Sequence, residues 1–262
     1  MLQLKVGIQL ASLRQPFRKA VDLAAQLGVN AIEIDARSEL RPQDLSRTAV
    51  RQIQKLLADR NLEVAAVKFQ TRRGYDNLED LEPRLEATKQ AMKMAFELGC
   101  SVVCNDLGMI PDEQLTGQRA TLNEAMTDLG RFSQKNGVWL AATTAAKEPT
   151  ALRALIDDLP LGSLAVDFDP AGIVLHRGSP TEFMESLAEN VVHFRVRDAV
   201  QDLALGKGVE VQVGRGSVDF PAMLAKLEEK QFRGFLTLSQ GESDNPLGDA
   251  ALAKEYLDNL WS

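Results

Sequence analysis

The stretch LKVGIQLASLRQPFRKAVDLAAQLGVNAIEID (residues 4–35) decides how the whole chain is read. It opens on a short apolar run, LKVGIQL (4–10), crosses a polar turn, and closes on a second run, NAIEID (30–35). Between them Phe17, Ala20, Val21, Ala24 and Leu27 recur at helical spacing. Pro16 stands at the entrance, where a proline is tolerated, and Gly28 at the exit, where a left-handed turn ends a helix. Neither run alternates cleanly between apolar and polar residues. Continuous hydrophobicity is the mark of parallel strands covered on both faces. The unit is therefore strand, helix, parallel strand.

Working outward, the same grammar recurs. Further strand-like runs are LEVAAVKF (62–69), SVVCND (101–106), VWLAAT (138–143), SLAVDF (163–168), VVHFRV (191–196) and GFLTLS (234–239). Segment 79–98 carries a helical stripe of Leu81, Leu85, Met92, Ala95 and Phe96 before Gly99, and segment 219–230 one of Phe220, Leu224 and Leu227. Eight strand–helix units close a barrel, so the expected fold is α/β, one (β/α)8 TIM barrel domain over residues 1–262, with its ligand site at the C-terminal strand ends. A doubly wound open sheet would want a glycine-rich first turn, and QLASLRQP has none.

Composition narrows the function classes. With 262 residues, 45% of them hydrophobic, the chain is long enough to bury a large core without disulfides. The formal charge of -7 is spread along the sequence, which argues against a nucleic-acid partner. Cys100 and Cys104 make no disulfide framework and are expected to pack in the core. No apolar run approaches the roughly 20 residues that span a bilayer, and no signal peptide is evident. A soluble cytoplasmic protein without a membrane partner is expected, and a homodimer is left open.

The order of motifs resembles the xylose isomerase-like barrel superfamily of sugar phosphate isomerases and epimerases, inosose dehydratases and endonuclease IV relatives. The opening stretch is similar to that family's opening. VVHFRVRDA resembles its seventh-strand motif, and VGRGSVDFPAMLAKLEEKQFRGFLTLS resembles its closing segment. The resemblance implies carbohydrate chemistry at a divalent metal held by a Glu, an Asp, a His and a Glu on strands five to eight. Carried over residue by residue, those places fall on Thr143, Asp169, Arg195 and Ser239. One of the four ligand types remains. His193, Glu148 and Glu242 lack the spacing of strand-end ligands, and the expectation is a lost metal site and no cofactor. Mn, Zn, Mg or Co would enter only if these assignments are wrong. Arg195 then adds a fixed positive charge where a ligand stood, and it is expected to pair with Asp169.

Other strand-end residues should face the mouth: Gln9, Glu33, Asp35, Lys68, Gln70, Asn105, Asp106, Arg197 and Asp198. Glu33, Lys68, Asp169 and Arg195 are the candidate catalytic set, and Gln9, Asn105, Thr143, Arg197 and Ser239 the candidate ligand-binding set. A desolvated lysine can serve as a base or a Schiff-base amine, although Lys68 also suits an ion pair. Arg72 and Arg73 sit in a loop able to meet an anion. GRG (214–216) lacks the third glycine of a dinucleotide loop. The combined expectation is an isomerase/epimerase-like barrel, without its metal, that binds a small polyhydroxylated or anionic ligand on Arg195, Arg197 and Lys68. The alternatives are a non-catalytic binding or regulatory barrel and an intact metal-dependent isomerase.

Overall fold

The computed structural model describes residues 5–112, 114–202, 207–241 and 243–261. Its strands are β1 (Val6–Gln9), β2 (Ala31–Asp35), β3 (Glu63–Lys68), β4 (Val102–Asn105), β5 (Trp139–Thr143), β6 (Ala165–Phe168), β7 (Val191–Val196), β8 (Asp198–Asp202), β9 (Lys207–Val211) and β10 (Leu236–Leu238). β1 to β7 and β10 are parallel and close into a barrel, β10 pairing with both β7 and β1. Each of the eight expected runs supplies one barrel strand. Strands β1, β4, β6 and β10 are buried along their whole length, which is why their sequences do not alternate.

The helices are α1 (Phe17–Gln26), α2 (Arg47–Ala58), α3 (Leu81–Glu97), α4 (Thr116–Asn136), α5 (Thr150–Asp158), α6 (Pro170–Leu175), α7 (Pro180–Leu187), α8 (Phe220–Glu229) and α9 (Pro246–Trp261). α1 buries Ala20, Val21 and Ala24, and the chain leaves it through Gly28 at φ +71°. α3 buries Leu85, Met92 and Ala95, but Phe96, assigned to the same stripe, is exposed. Period two sorts β6 and β7 into two jobs. Phe168 and Phe194 stack at 5.5 Å and continue through Phe220 of α8 to Tyr256 of α9, forming the seam between sheet and helices. Asp167, His193 and Arg195 take the opposite face, inside the barrel.

The sequence reading did not foresee β8 and β9, an antiparallel hairpin inserted between β7 and α8. Asp198 fastens it. Its carboxylate accepts N–H bonds from Ala199 (2.9 Å) and Val218 (3.2 Å) on one oxygen, and from Gly214 (3.0 Å) and Gly216 (2.7 Å) on the other. This explains the two glycines of GRG. Gly214 adopts φ +84°, and a Cβ on Gly216 would lie 1.9 Å from an Asp198 oxygen.

Candidate functional site

At the bottom of the mouth lies a buried charged ring. Glu33 on β2, Asp167 on β6 and His193 on β7 are wholly buried, and Arg195 nearly so. Arg195 donates from Nε to Asp167 Oδ2 at 2.8 Å and from Nη1 to Glu33 Oε1 at 3.2 Å. Its Nη2 faces Glu33 Oε2 at 3.1 Å as an ion pair. Burial works against ionised Asp167, yet the adjoining Arg195 guanidinium and His193 imidazole outweigh it and hold the carboxyl well below the usual range. Burial likewise disfavours the Arg195 cation, and the Asp167 and Glu33 charges more than restore it.

His193 is spanned on both nitrogens, by Asp167 Oδ1 at 2.7 Å from Nδ1 and by Thr237 Oγ1 at 2.7 Å from Nε2. An ionised carboxylate only accepts, so Nδ1 carries a proton. Asp167 is completed by Thr143 Oγ1, which donates at 2.7 Å. Gln9 is engaged at both amide atoms: its Nε2 donates to Glu33 at 2.5 Å and its Oε1 accepts from Ser12 at 2.8 Å. Cys104 packs beside His193, and burial pushes its thiol well up; Cys100, buried as expected, is pushed up to about 12.

A second charged unit sits one step nearer the solvent. Arg197 donates from Nη1 to Asp169 Oδ2 at 2.6 Å and from Nη2 to Glu210 Oε2, on the hairpin, at 2.5 Å. Asp169 also caps α6, accepting from Gly172 N at 3.0 Å. The expected Arg195–Asp169 pair is therefore corrected. Asp167 and Asp169 point into the same interior, and Arg195 reaches the deeper one while Arg197 takes the other. Neither Arg195 nor Arg197 stands free for an external anion, since each guanidinium already faces two carboxylates.

Above both units opens a cavity of about 300 Å³ at the C-terminal strand ends, lined among others by Gln9, Lys68, Asn105, Thr143, Asp169, Arg195, Arg197 and Ser239. All the candidate residues meet here except Glu33, which lies beneath. Most are spent on each other; Arg195 Nη2 faces Glu33 at 3.1 Å without completing a hydrogen bond, and three further polar groups are unspent. Asn105 donates to Tyr75 at 2.8 Å yet its buried Oδ1 has no hydrogen-bond partner, and neither has buried Ser239 Oγ. Half-buried Lys68 has no ion pair or hydrogen bond to any other described residue, so the ion-pair reading of this lysine is not met. Asp35 and Asp106 turn to local backbone, accepting from Arg37, Ser38 and Gly108. Arg73 pairs with Glu79 at 2.8 Å in its own loop, and Glu242 lies outside the described residues.

The sequence reading missed Asp167, Thr237, Tyr75 and Glu210, and it set His193 aside. Asp167 was visible as the inward partner of Asp169 two residues away. Glu210 required knowledge of the hairpin.

An inward ring of acids and bases at the C-terminal strand ends places this chain in the class of (β/α)8 barrels that carry their sites at that end. Residues 21–260 match the xylose isomerase-like TIM barrel family, and the chain belongs to it. A xylose isomerase domain protein from Planctomyces limnophilus superposes with a TM-score of 0.85 at 21% identity, covering 99% of this chain and 98% of that one. A D-tagatose 3-epimerase-like protein gives 0.78 at 18% identity, with 98% and 97% covered. A barrel of this family from Mycobacterium smegmatis, in complex with magnesium, gives 0.77 at 19% identity, with 93% and 87% covered. In sequence, the chain is 24% identical over 190 residues to an uncharacterized protein of Methanocaldococcus jannaschii; the match takes in 66% of this chain and 62% of that relative's length.

Proposed function

We propose that this barrel binds a small polyhydroxylated ligand at its mouth without a divalent metal, and that Lys68 is the group that meets the ligand's carbonyl or single anionic oxygen. The observation that carries the reading is Arg195, held by Glu33 and Asp167 where the resemblance expects a metal-ligating His. The donors present do not fit a divalent cation. Thr143 and Ser239 offer hydroxyls, and Asp169 is bound to Arg197. Glu33, Cys104 and His193 do bring ligand atoms within 4.8 Å of one another, but Glu33 already faces a guanidinium and the Cys104 thiol is held protonated. A metal there would meet a fixed positive charge.

The unpartnered groups suit a sugar. Asn105 Oδ1 accepts from a hydroxyl, Ser239 Oγ accepts or donates, and Lys68 Nζ donates. Of the groups described in the mouth, Lys68 is the cation with the freedom to move a proton, because the carboxylates Glu33 and Asp169 are bound to arginines, and Asp106 is the one lining carboxylate without such a partner among the described residues. A purely ligand-binding barrel is the second reading, favoured by that same occupation of the carboxylates.

Three measurements test this. Elemental analysis of dialysed protein is expected to find no stoichiometric Mn, Zn, Mg or Co; one ion per chain overturns the metal-free reading. Sugar phosphates or sugar acids at about a hundredfold excess over Kd are expected to add about 2.7 kcal/mol, raising Tm by roughly 5–11 °C, and Lys68→Ala is expected to abolish that shift. A shift that survives in the variant removes Lys68 from the site. Solvent deuterium exchange into the bound sugar, read by proton NMR, separates turnover from binding alone.

A further inference from the structure

We infer that the mouth has a second, apolar compartment that takes the uncharged aglycone of a glycoside, so that the ligand is amphiphilic rather than a free sugar. This rests on the reading of the polar cavity as a sugar site. The second cavity, about 450 Å³, lies between the loops that follow β4 and β5. Asp106, Thr143 and Ala145 line both cavities, so the two adjoin across these side chains. Phe183, Leu152 and Leu107, all buried, are among its walls, and Met109 stands at its lip 76% exposed.

The sequence explains why there is room. From Ala141 to Ala146 the chain reads AATTAA, with no side chain larger than threonine. At Thr143, where the resemblance expects a charged metal ligand, the hydroxyl is turned to Asp167. The exchange that removes the ligand therefore also takes a charge from the wall the two cavities share. The charged side chains lining the apolar compartment are Asp106 and Glu148, both carboxylates. An anionic group is disfavoured there, whereas Lys68 offers a cation on the polar side. The arrangement thus sorts a ligand into a hydroxylated head and a neutral apolar tail.

The test compares methyl, butyl and phenyl β-D-glucuronides, whose carboxylate gives Lys68 its anionic oxygen, by isothermal titration, beside free sugars and sugar phosphates. Phenyl and butyl glycosides are expected to bind on the order of tenfold more tightly than methyl, through the apolar area they remove from water. Ala146→Phe is expected to erase that preference and leave the methyl glycosides unchanged. Ala146 is exposed and lines the apolar compartment alone, and exposed Ala151→Phe is the second variant. Equal binding of all three glycosides, or binding of free sugars or sugar phosphates with exclusion of every glycoside, overturns the inference and leaves the polar site standing. Binding of none of these compounds overturns both readings.

Discussion

Removing the Arg195 guanidinium asks directly whether it is the counter-ion of the buried ring. In Arg195→Met a chain of similar length fills the space, but two wholly buried carboxylates lose their cation. They are not stranded equally. Asp167 keeps His193 Nδ1 and Thr143 Oγ1, each at 2.7 Å, whereas Glu33 keeps only Gln9 Nε2. Glu33 therefore carries most of the cost. Breaking a buried pair by deleting one partner costs about 3–5 kcal/mol. For a chain of this size that lowers Tm by roughly 6–20 °C.

Urea unfolding at pH 8 measures the loss, and repeating it at pH 5 adds a sign. A stranded carboxylate takes up a proton in the native state that the unfolded chain has released. The variant's stability then falls as pH rises, and its deficit against wild type narrows in acid. Adding Glu33→Gln removes the stranded charge and is expected to recover about half the loss or more, a coupling measured by the double-mutant cycle. A loss below about 1 kcal/mol in Arg195→Met, or a double variant whose deficits simply add, would refute the counter-ion argument.

Two further outcomes follow from groups outside that ring. Burial, with the charges of Asp35 and Glu33 beside it, raises the Glu39 carboxyl from 4.5 to about 7 against an opposing bond from Asp35 N–H. Folded protein holds a proton across that interval which the unfolded chain has lost, so wild-type stability is expected to fall by roughly 3 kcal/mol between those pH values; Glu39→Gln flattens the slope and is the more stable chain at pH 8, and an unchanged slope refutes the assignment. Gly216→Ala forces a Cβ against Asp198 and is expected to cost about 1–3 kcal/mol while speeding amide exchange at Gly214 and Val218; an unchanged Tm would show that the carboxylate is not the hairpin's anchor.

The barrel was legible because its rule is local. A strand covered on both faces is apolar over most of its length, and a helix packed on it must carry one stripe, so residues 4–35 already contain the repeating unit. The hairpin escaped the same rule. Its strands mix Asp198, Gln201 and Glu210 among valines, and three of the four N–H bonds that Asp198 accepts come from chain 16 to 20 residues beyond it. The charged ring was half legible. Period two places Asp167 with Asp169, and His193 with Arg195 and Arg197, on one inner face. It does not say which acid meets which base. That depends on depth, and depth is reset by a register shift between Val166 and Asp167 that sets Asp167 opposite His193. The Glu33–Arg195 contact spans 162 residues and two strands that are not neighbours, beyond any local pattern.

The pairing bears on chemistry as well as on architecture. A divalent metal binds its protein ligands and still has positions free for substrate oxygens, so it can polarise what it holds. Arg195 gives its Nε and Nη1 protons to Asp167 and Glu33 and directs Nη2 at Glu33, leaving little with which to polarise a carbonyl. Arg197 is bound in the same manner to Asp169 and Glu210. Each guanidinium neutralises carboxylates that would otherwise serve as bases, and each is itself consumed. Beside Arg195 Nη2, which completes no hydrogen bond, and Asp106 at the rim, three side chains in the mouth have unspent capacity: Asn105, Ser239 and Lys68. Two can only position hydroxyls. Of these three the lysine alone carries charge, and under the proposed function proton transfer would run through β3, away from the strands on which the family's metal would be sought.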